Sequence, residues 1–421
     1  MSMEHISKLS VADEAAIERL EAASEAMIAR TVAWSGVNTG STNTDGLKAF
    51  APTLADAFSE LDAEIDLQRA EPFEIVGAAG DLESIETGPI LRVKARPDAP
   101  VQIVLSGHYD TVFPPSAGFN SVTDLGNGRL NGPGLADMKG GLCLMIEALK
   151  TFEASANKDK VGYQIVVTPD EEIGNFASAG ALTEAASSGA LIGMTYEPCM
   201  ESGAMSGGRK GSAVYDVVLR GRAAHAGRSH AEGRSAIAAA AMFVSGLEGL
   251  NGQYEGVTFN TGKIDGGNAV NIVPDLAIVR FGARAPDAEA AAWADDRIRE
   301  LLAKVTRLDG ITGHSHGGFY RPPKPRNAAQ QALFDAVAGT GQAIGLELEF
   351  IDTGGVCEGN NIFAAGVPNV DTLGVLGGRI HSSEEYVETA SFAKRGALSA
   401  LLLNRLVDGR IDAKAIKDMM P

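Results

Sequence analysis

Three short apolar runs stand out along the chain: VQIVLS (101–106), VGYQIVVT (161–168) and LIGMTYE (191–197), with few polar positions interleaved. A strand that is apolar on both faces is covered on both faces, which is the pattern of an α/β sheet and not of a half-solvated one. Between the runs lie helix-periodic segments over about 139–152 and 177–187, so strand and helix alternate. The residues before about 95 predict a capped helix, a TGSTNTDG loop, a second helix over about 47–61, and strands ending near ILRVKAR. In sheets of this kind ligands sit beyond the carboxyl ends of the strands, which singles out the residues just after each run.

From about 207 the rhythm changes. AVYDVVLRG, a helix over SAIAAAAMFVSGLEGL, GVTFNTGKI, LAIVRFGAR, a helix over DAEAAAWADDRIRELLAKV and ITGHSHGGF follow in the order β-α-β-β-α-β. That order predicts a ferredoxin-like unit of about 110 residues, a four-stranded antiparallel sheet with two helices on one side. YRPPKPRN (320–327) marks its exit, after which helix, strand and helix resume. The expected fold class is α/β: a discontinuous larger domain over 1–206 and 320–421 with a mixed, largely parallel sheet, and a smaller domain inserted over 207–319.

Composition narrows the partners. A chain of 421 residues exceeds what a single core usually supports. Lys and Arg total 36 against 54 Asp and Glu, a formal charge of −18, and no basic cluster stands out. Nucleic acid and anionic membrane surfaces are therefore not expected as partners. No apolar run reaches the ~18–20 residues of a membrane span, and the charged start of the chain does not read as a signal peptide. Cys143, Cys199 and Cys357 are odd in number and lack CxxC spacing, which fits a reduced cytoplasm and buried, apolar thiols.

Chemistry gathers at the strand ends. SGHYDTVFP follows the first run and places His108 and Asp110 on one face of an extended chain, the arrangement of a metal ligand with its orienting carboxylate. Asp137 stands in NGPGLADMKGG between a glycine-rich turn and a helix, Glu171 and Glu172 stand side by side in PDEEIGN, and Glu197 ends the third run in TYEPCM. His381 lies in a late glycine-rich loop, GVLGGRIHSSEEYV. Singly these have bland explanations: a hydrogen-bonded core histidine, an N-cap aspartate, solvated acids on a turn. Together His108, Asp137, Glu172, Glu197 and His381 are two imidazoles and three carboxylates, a donor set suited to a pair of divalent metals with zinc preferred.

In order and spacing, GHYDTV, GPGLADMKGG, PDEEIG, the EP after a strand and RIHSSEE resemble the metal-dependent peptidase family that includes carboxypeptidase G, aminoacylases, dipeptidases and deacylases. The resemblance covers essentially the whole chain, and the inserted domain falls where that family keeps its lid. It implies two zinc ions, with cobalt or manganese as substitutes: His108 and Glu197 on one, Glu172 and His381 on the other, Asp137 bridging, and Asp110 orienting His108. Glu171 falls on the family's general base. His225 in GRAAHAGRSH matches a lid histidine often supplied to the neighbouring subunit's site, and Asn271 and Arg284 match positions used for the substrate carbonyl and terminal carboxylate. Arg209, Lys210 and Arg321 match too loosely to be assigned, and Cys199 and Cys357 read as lining or packing residues.

The expectation that follows is a cytoplasmic, homodimeric dizinc hydrolase acting on a small molecule or short peptide with a free carboxylate. By resemblance to the carboxypeptidase G type it releases a C-terminal amino acid such as glutamate from a peptide or an acyl or aryl-acyl conjugate. An N-acyl-amino-acid deacylase or dipeptidase would share every ligand. A catalytically silent scaffold would have lost the base or a ligand, and none is missing.

Overall fold

The computed structural model describes residues 6–421, so the opening MSMEH lies outside the described residues. Ser10 starts the helix Val11–Ala22 with a reciprocal cap: its hydroxyl accepts from the Asp13 N–H (3.2 Å), and the Asp13 carboxylate accepts from the Ser10 N–H (3.0 Å). Asn43 caps the next long helix, Thr44–Phe58, by accepting from the Gly46 N–H. The helix begins earlier than apolar periodicity indicates because that cap recruits the polar Thr44 and Asp45.

The central sheet has six strands in the spatial order Glu64–Gln68, Ile90–Ala95, Val161–Thr168, Val101–His108, Ile192–Thr195, Asn369–Val370. The first two pairings are antiparallel and the other three parallel. Successive side chains leave opposite faces. Ile103 and Leu105 join a core with Leu142 of the helix Gly140–Glu153 and Leu398 of Ser391–Asp408. Val104, between them, packs with Leu182 of Ala179–Ser187 and Ile362 of Glu358–Ala364 on the other side. Burial on both sides is why these strands read as continuous apolar runs. His108 lies in register with Thr168, and Ser106 with Thr195, so three strands end at one edge. His108, the PDEEIG turn and Glu197 leave the sheet there together.

Residues 211–321 build a second sheet, ordered Thr258–Gly266, Leu276–Ala285, Gly211–Arg220, Thr312–Arg321 and antiparallel throughout. The helices Ala236–Glu248 and Ala288–Val305 cover one face through Phe243 and Ile298. The other face meets a hairpin of the larger unit, Phe73–Val76 with Leu82–Ile85, where Val76 packs on Val218 and Ile278. The chain enters the small sheet past Lys210 and leaves it at Pro322, because Met205–Arg209 pairs with Phe350–Thr353 in a separate two-stranded sheet and the small sheet runs through Arg321.

Gly141, in the first turn of its helix, lies so close to the third parallel strand that a Cβ there would stand 2.1 Å from the carbonyl oxygen of Tyr196. Neither backbone can yield that distance without displacing Glu197, the next residue. Gly141→Ala is therefore expected to lower stability by about 1–3 kcal/mol, seen as a drop in the thermal unfolding midpoint. An unchanged midpoint would show that the strand end is free to move.

Candidate metal centre

Asp137 stands between two imidazoles at the carboxyl edge of the central sheet. His108, fully buried, points Nε2 at Asp137 Oδ1 (3.1 Å) and Glu197 Oε2 (3.6 Å). His381 points Nε2 at the other oxygen, Asp137 Oδ2 (3.3 Å), and at Glu172 Oε2 (3.1 Å). The structure thus brings together all five residues that the sequence nominates as ligands.

Asp110 supports the group in two ways. Its carboxylate lies 3.3 Å and its carbonyl oxygen 3.1 Å from His108 Nδ1, which fixes the ring with Nε2 forward. The same carboxylate accepts the backbone N–H groups of Glu171 and Glu172, at 3.1 Å each, and the Ser41 hydroxyl at 2.6 Å. The glutamate pair is therefore anchored by its backbone to the His108 strand, which leaves both side chains free for other work. Asp137 has its own anchor: the buried Glu385 carboxylate accepts from the N–H groups of Gly134, Ala136 and Asp137 at 2.9–3.1 Å. His381 sits in left-handed backbone (φ 63°), a conformation that costs a non-glycine residue roughly 1–2 kcal/mol. The loop is held by Ser382, whose hydroxyl donates to the Arg379 carbonyl (2.7 Å).

Charge is crowded here. Burial and the Asp137 carboxylate push Glu172 well above the usual carboxylate range. Burial pushes Glu171 up to about 7, against the pull of Arg321, whose Nη2 lies 2.5 Å from its Oε1. Hydrogen bonds to Asp137 and Glu172 push His381 up to about 11. Burial opposes charge on His108, yet Glu197, Asp110 and Asp137 together raise it well above its ordinary value. Burial raises the two glutamates and the crowded carboxylates raise the two imidazoles: the site holds more negative charge than its own cations neutralise.

The donors fit a divalent cation. Ligand atoms of His108, Asp137 and Glu172 lie within 4.8 Å of one another, as do those of His108, Glu171 and Glu197. Imidazole nitrogen with carboxylate oxygen is the donor set of zinc and of its first-row neighbours.

A cavity of about 590 Å³ opens over this group, with Phe176 and Tyr320 on one wall and Arg284 contributed by the small sheet. The two rings meet edge to face at 4.3 Å, and Arg284 donates to the Ser212 hydroxyl. Cys199 and Cys357 line it as buried, free thiols. His225 and Asn271 do not line it. They sit together on an exposed edge of the small sheet unit, where the Ala226 N–H donates to the Asn271 carbonyl (2.9 Å). The three unassigned cations separate. Arg209 lines the cavity with Nε 2.5 Å from Asp371 Oδ2, Lys210 donates to the Gly256 carbonyl (2.7 Å), and Arg321 meets Glu171. Sequence reasoning missed Ser41, Glu385 and Asn361, whose Oδ1 accepts from Arg321 Nη1 (2.9 Å). Only Glu385 carried a signal, as the second of another adjacent glutamate pair, of which the structure buries one member and exposes Glu384.

Known proteins share this plan. Carboxypeptidase G2 from Pseudomonas sp. (strain RS-16) is 26% identical over 317 residues, covering 73% of this chain and 74% of its own. A succinyl-diaminopimelate desuccinylase from Nitrosospira multiformis is 26% identical over 351 residues, 78% of this chain and 89% of its own. The fold is similar to that of the metallo-carboxypeptidase Sso-CP2 from Sulfolobus solfataricus, with a TM-score of 0.70 at 16% identity over 90% of this chain and 98% of that one. Residues 104–405, from the His108 strand past the His381 loop, match the family described as Peptidase family M20/M25/M40, and the chain belongs to that family of metal-dependent hydrolases.

Proposed function

We propose that the protein is a dizinc amidohydrolase that cleaves an amide next to a free carboxylate, releasing a C-terminal amino acid such as glutamate from a peptide, N-acyl or aryl-acyl conjugate. The observation that carries this reading is Asp137 with one oxygen toward each imidazole, each imidazole having a further carboxylate of its own. In this reading His108 and Glu197 hold one ion, His381 and Glu172 the other, and Asp137 bridges. Two zinc ions, with cobalt or manganese as substitutes, would supply polarisation of the amide carbonyl and a more acidic water.

The chain's own residues do the rest. Glu171 takes the proton of the attacking water and returns it to the leaving amine, a task for which a carboxylate near neutrality is matched. Arg284 grips the substrate's terminal carboxylate with its planar fork. Phe176 and Tyr320 offer an aryl-acyl group an aromatic wall. His225 and Asn271 act from a second copy, the small unit read as 207–319 serving as lid and dimer surface. Exposed apolar side chains beside them, Val270 and Ile272, support that reading. A deacylase or dipeptidase is the second reading, favoured by the desuccinylase relative, and would differ in the cavity wall alone. Buried free thiols support a reducing, cytoplasmic setting, and among the described residues no helix is long and apolar enough to cross a membrane.

The adjacent glutamates should separate in function. Glu171→Gln is expected to retain both metals and lose turnover by about 10²–10⁴-fold, whereas Glu172→Gln should lower occupancy of one metal position. Metal analysis beside steady-state kinetics checks this, and equal losses of turnover with full metal content in both would refute the division. Because Glu171 must be ionised to accept a proton and its pKa is raised, kcat/KM should fall as pH drops from 7 toward 5. A rate that climbs over that interval would contradict its role as base.

Substrate class is tested with a panel of N-acyl amino acids that includes benzoyl and folyl glutamates. Preference for an acidic leaving amino acid is expected; indifference to it would favour the deacylase reading. Mixing inactive His225→Ala and Glu171→Gln proteins tests the shared site. Random exchange of subunits should restore roughly a quarter of wild-type activity, because each mixed dimer contains one intact site. No recovery despite exchange would place His225 outside the partner's site.

A further inference from the structure

One short helix, Glu358–Ala364, grips both places where the chain enters and leaves the small sheet. Asn360 Nδ2 donates to the carbonyl of Lys210 (3.1 Å) on the way in and to that of Pro322 (2.7 Å) on the way out. Asn361 Nδ2 donates to the Tyr320 carbonyl (3.1 Å), and its Oδ1 accepts from Arg321 Nη1 (2.9 Å). Arg321 closes the last strand of the small sheet but turns inward and is only 2% exposed. Its Nη2 donates to the Glu171 carbonyl (3.1 Å) and to Glu171 Oε1 (2.5 Å).

Two consequences follow from this geometry. First, the guanidinium is committed: Nη1 holds Asn361 and Nη2 holds Glu171 twice, while Nε is buried without a protein partner among the described residues. Such a group has no fork to offer a substrate carboxylate, unlike Arg284 on the cavity wall. Second, among the described residues Arg321 is the one group that donates to the Glu171 carboxylate. A base must lie within about 2.6–3.2 Å of the proton it takes, so whatever fixes that carboxylate fixes the chemistry. A planar fork can hold Asn361 and Glu171 at a set spacing, which a lysine ammonium cannot.

We propose that Arg321 is a positioning residue that suspends the Glu171 carboxylate from the seam between the two domains, so that the base is aimed only while Asn360 and Asn361 clasp that seam. Movement of the small domain then reaches the base through one side chain. The proposal rests on the reading of Glu171 as general base.

The test compares wild type, Arg321→Ala and Arg321→Lys by steady-state kinetics, metal analysis and crystallography. Arg321→Ala should lose about 10²-fold in kcat with KM within about threefold of wild type and full metal content. Added guanidinium ion should restore part of kcat without changing KM. Arg321→Lys, which keeps the charge and the fold, should also lose kcat at constant KM, and its crystal structure should show the Glu171 carboxylate displaced by about 1 Å or more. A raised KM with unchanged kcat would overturn the proposal and make Arg321 a substrate contact. An unmoved Glu171 in both variants would overturn it as well. If wild type hydrolyses no amide, the functional reading fails by itself, and the position of Glu171 in Arg321→Lys still decides the proposal.

Discussion

Negative charge gathered out of water is the constraint on which the rest of this molecule depends. Asp110, Asp137, Glu171, Glu172 and Glu197 surround two histidine rings at the end of a buried sheet, and His108 and Asp110 are wholly inaccessible. Carboxylates at such spacing repel unless positive charge lies among them. The scaffold holds them anyway. Asp110 is satisfied by two backbone N–H groups and a hydroxyl, and Glu385 by three N–H groups from the turn that carries Asp137. Donors that are fixed in this way are already held close together by the scaffold.

The adjacent glutamates show how little sequence is needed to divide two tasks. Their N–H groups bond to the two oxygens of one carboxylate, and their side chains then part company. Glu172 goes to His381, and Glu171 goes to Arg321 at the seam with the small sheet. The first interaction belongs to the carboxylate–imidazole cluster, and the second ties that cluster to the part of the molecule that supplies Arg284. The cavity therefore lies between two units that meet at Glu171 as well as at the Phe73–Val76 hairpin.

Most of the fold was legible in the sequence, and so was the gathering of side chains at the sheet edge, because much of both is written locally. Apolar runs mark strands buried on two faces, and a side chain at or just past the end of a run, as His108, Glu172 and Glu197 are, must fall near the sheet edge. The order β-α-β-β-α-β likewise specifies its own small sheet. Contacts that span the chain were not legible: Arg321 lies 150 positions from Glu171, and Glu385 lies 248 from the Asp137 N–H it binds. Nothing in YRPPKPRN or SSEEYV announces those partners. His225 and Asn271 were nominated only through resemblance, and in one chain they stand on an exposed edge away from the cavity.

The central claim, that the carboxylate cluster exists to hold two cations, is tested most directly by calorimetric titration of zinc into metal-free protein in buffers of differing ionisation enthalpy. The expected result is two ions per chain with net release of protons, because burial and the Asp137 carboxylate raise Glu172, hydrogen bonds to Asp137 and Glu172 raise His381, and both must give up their protons to bind metal. Binding of one ion or none, or of two without proton release, would contradict it.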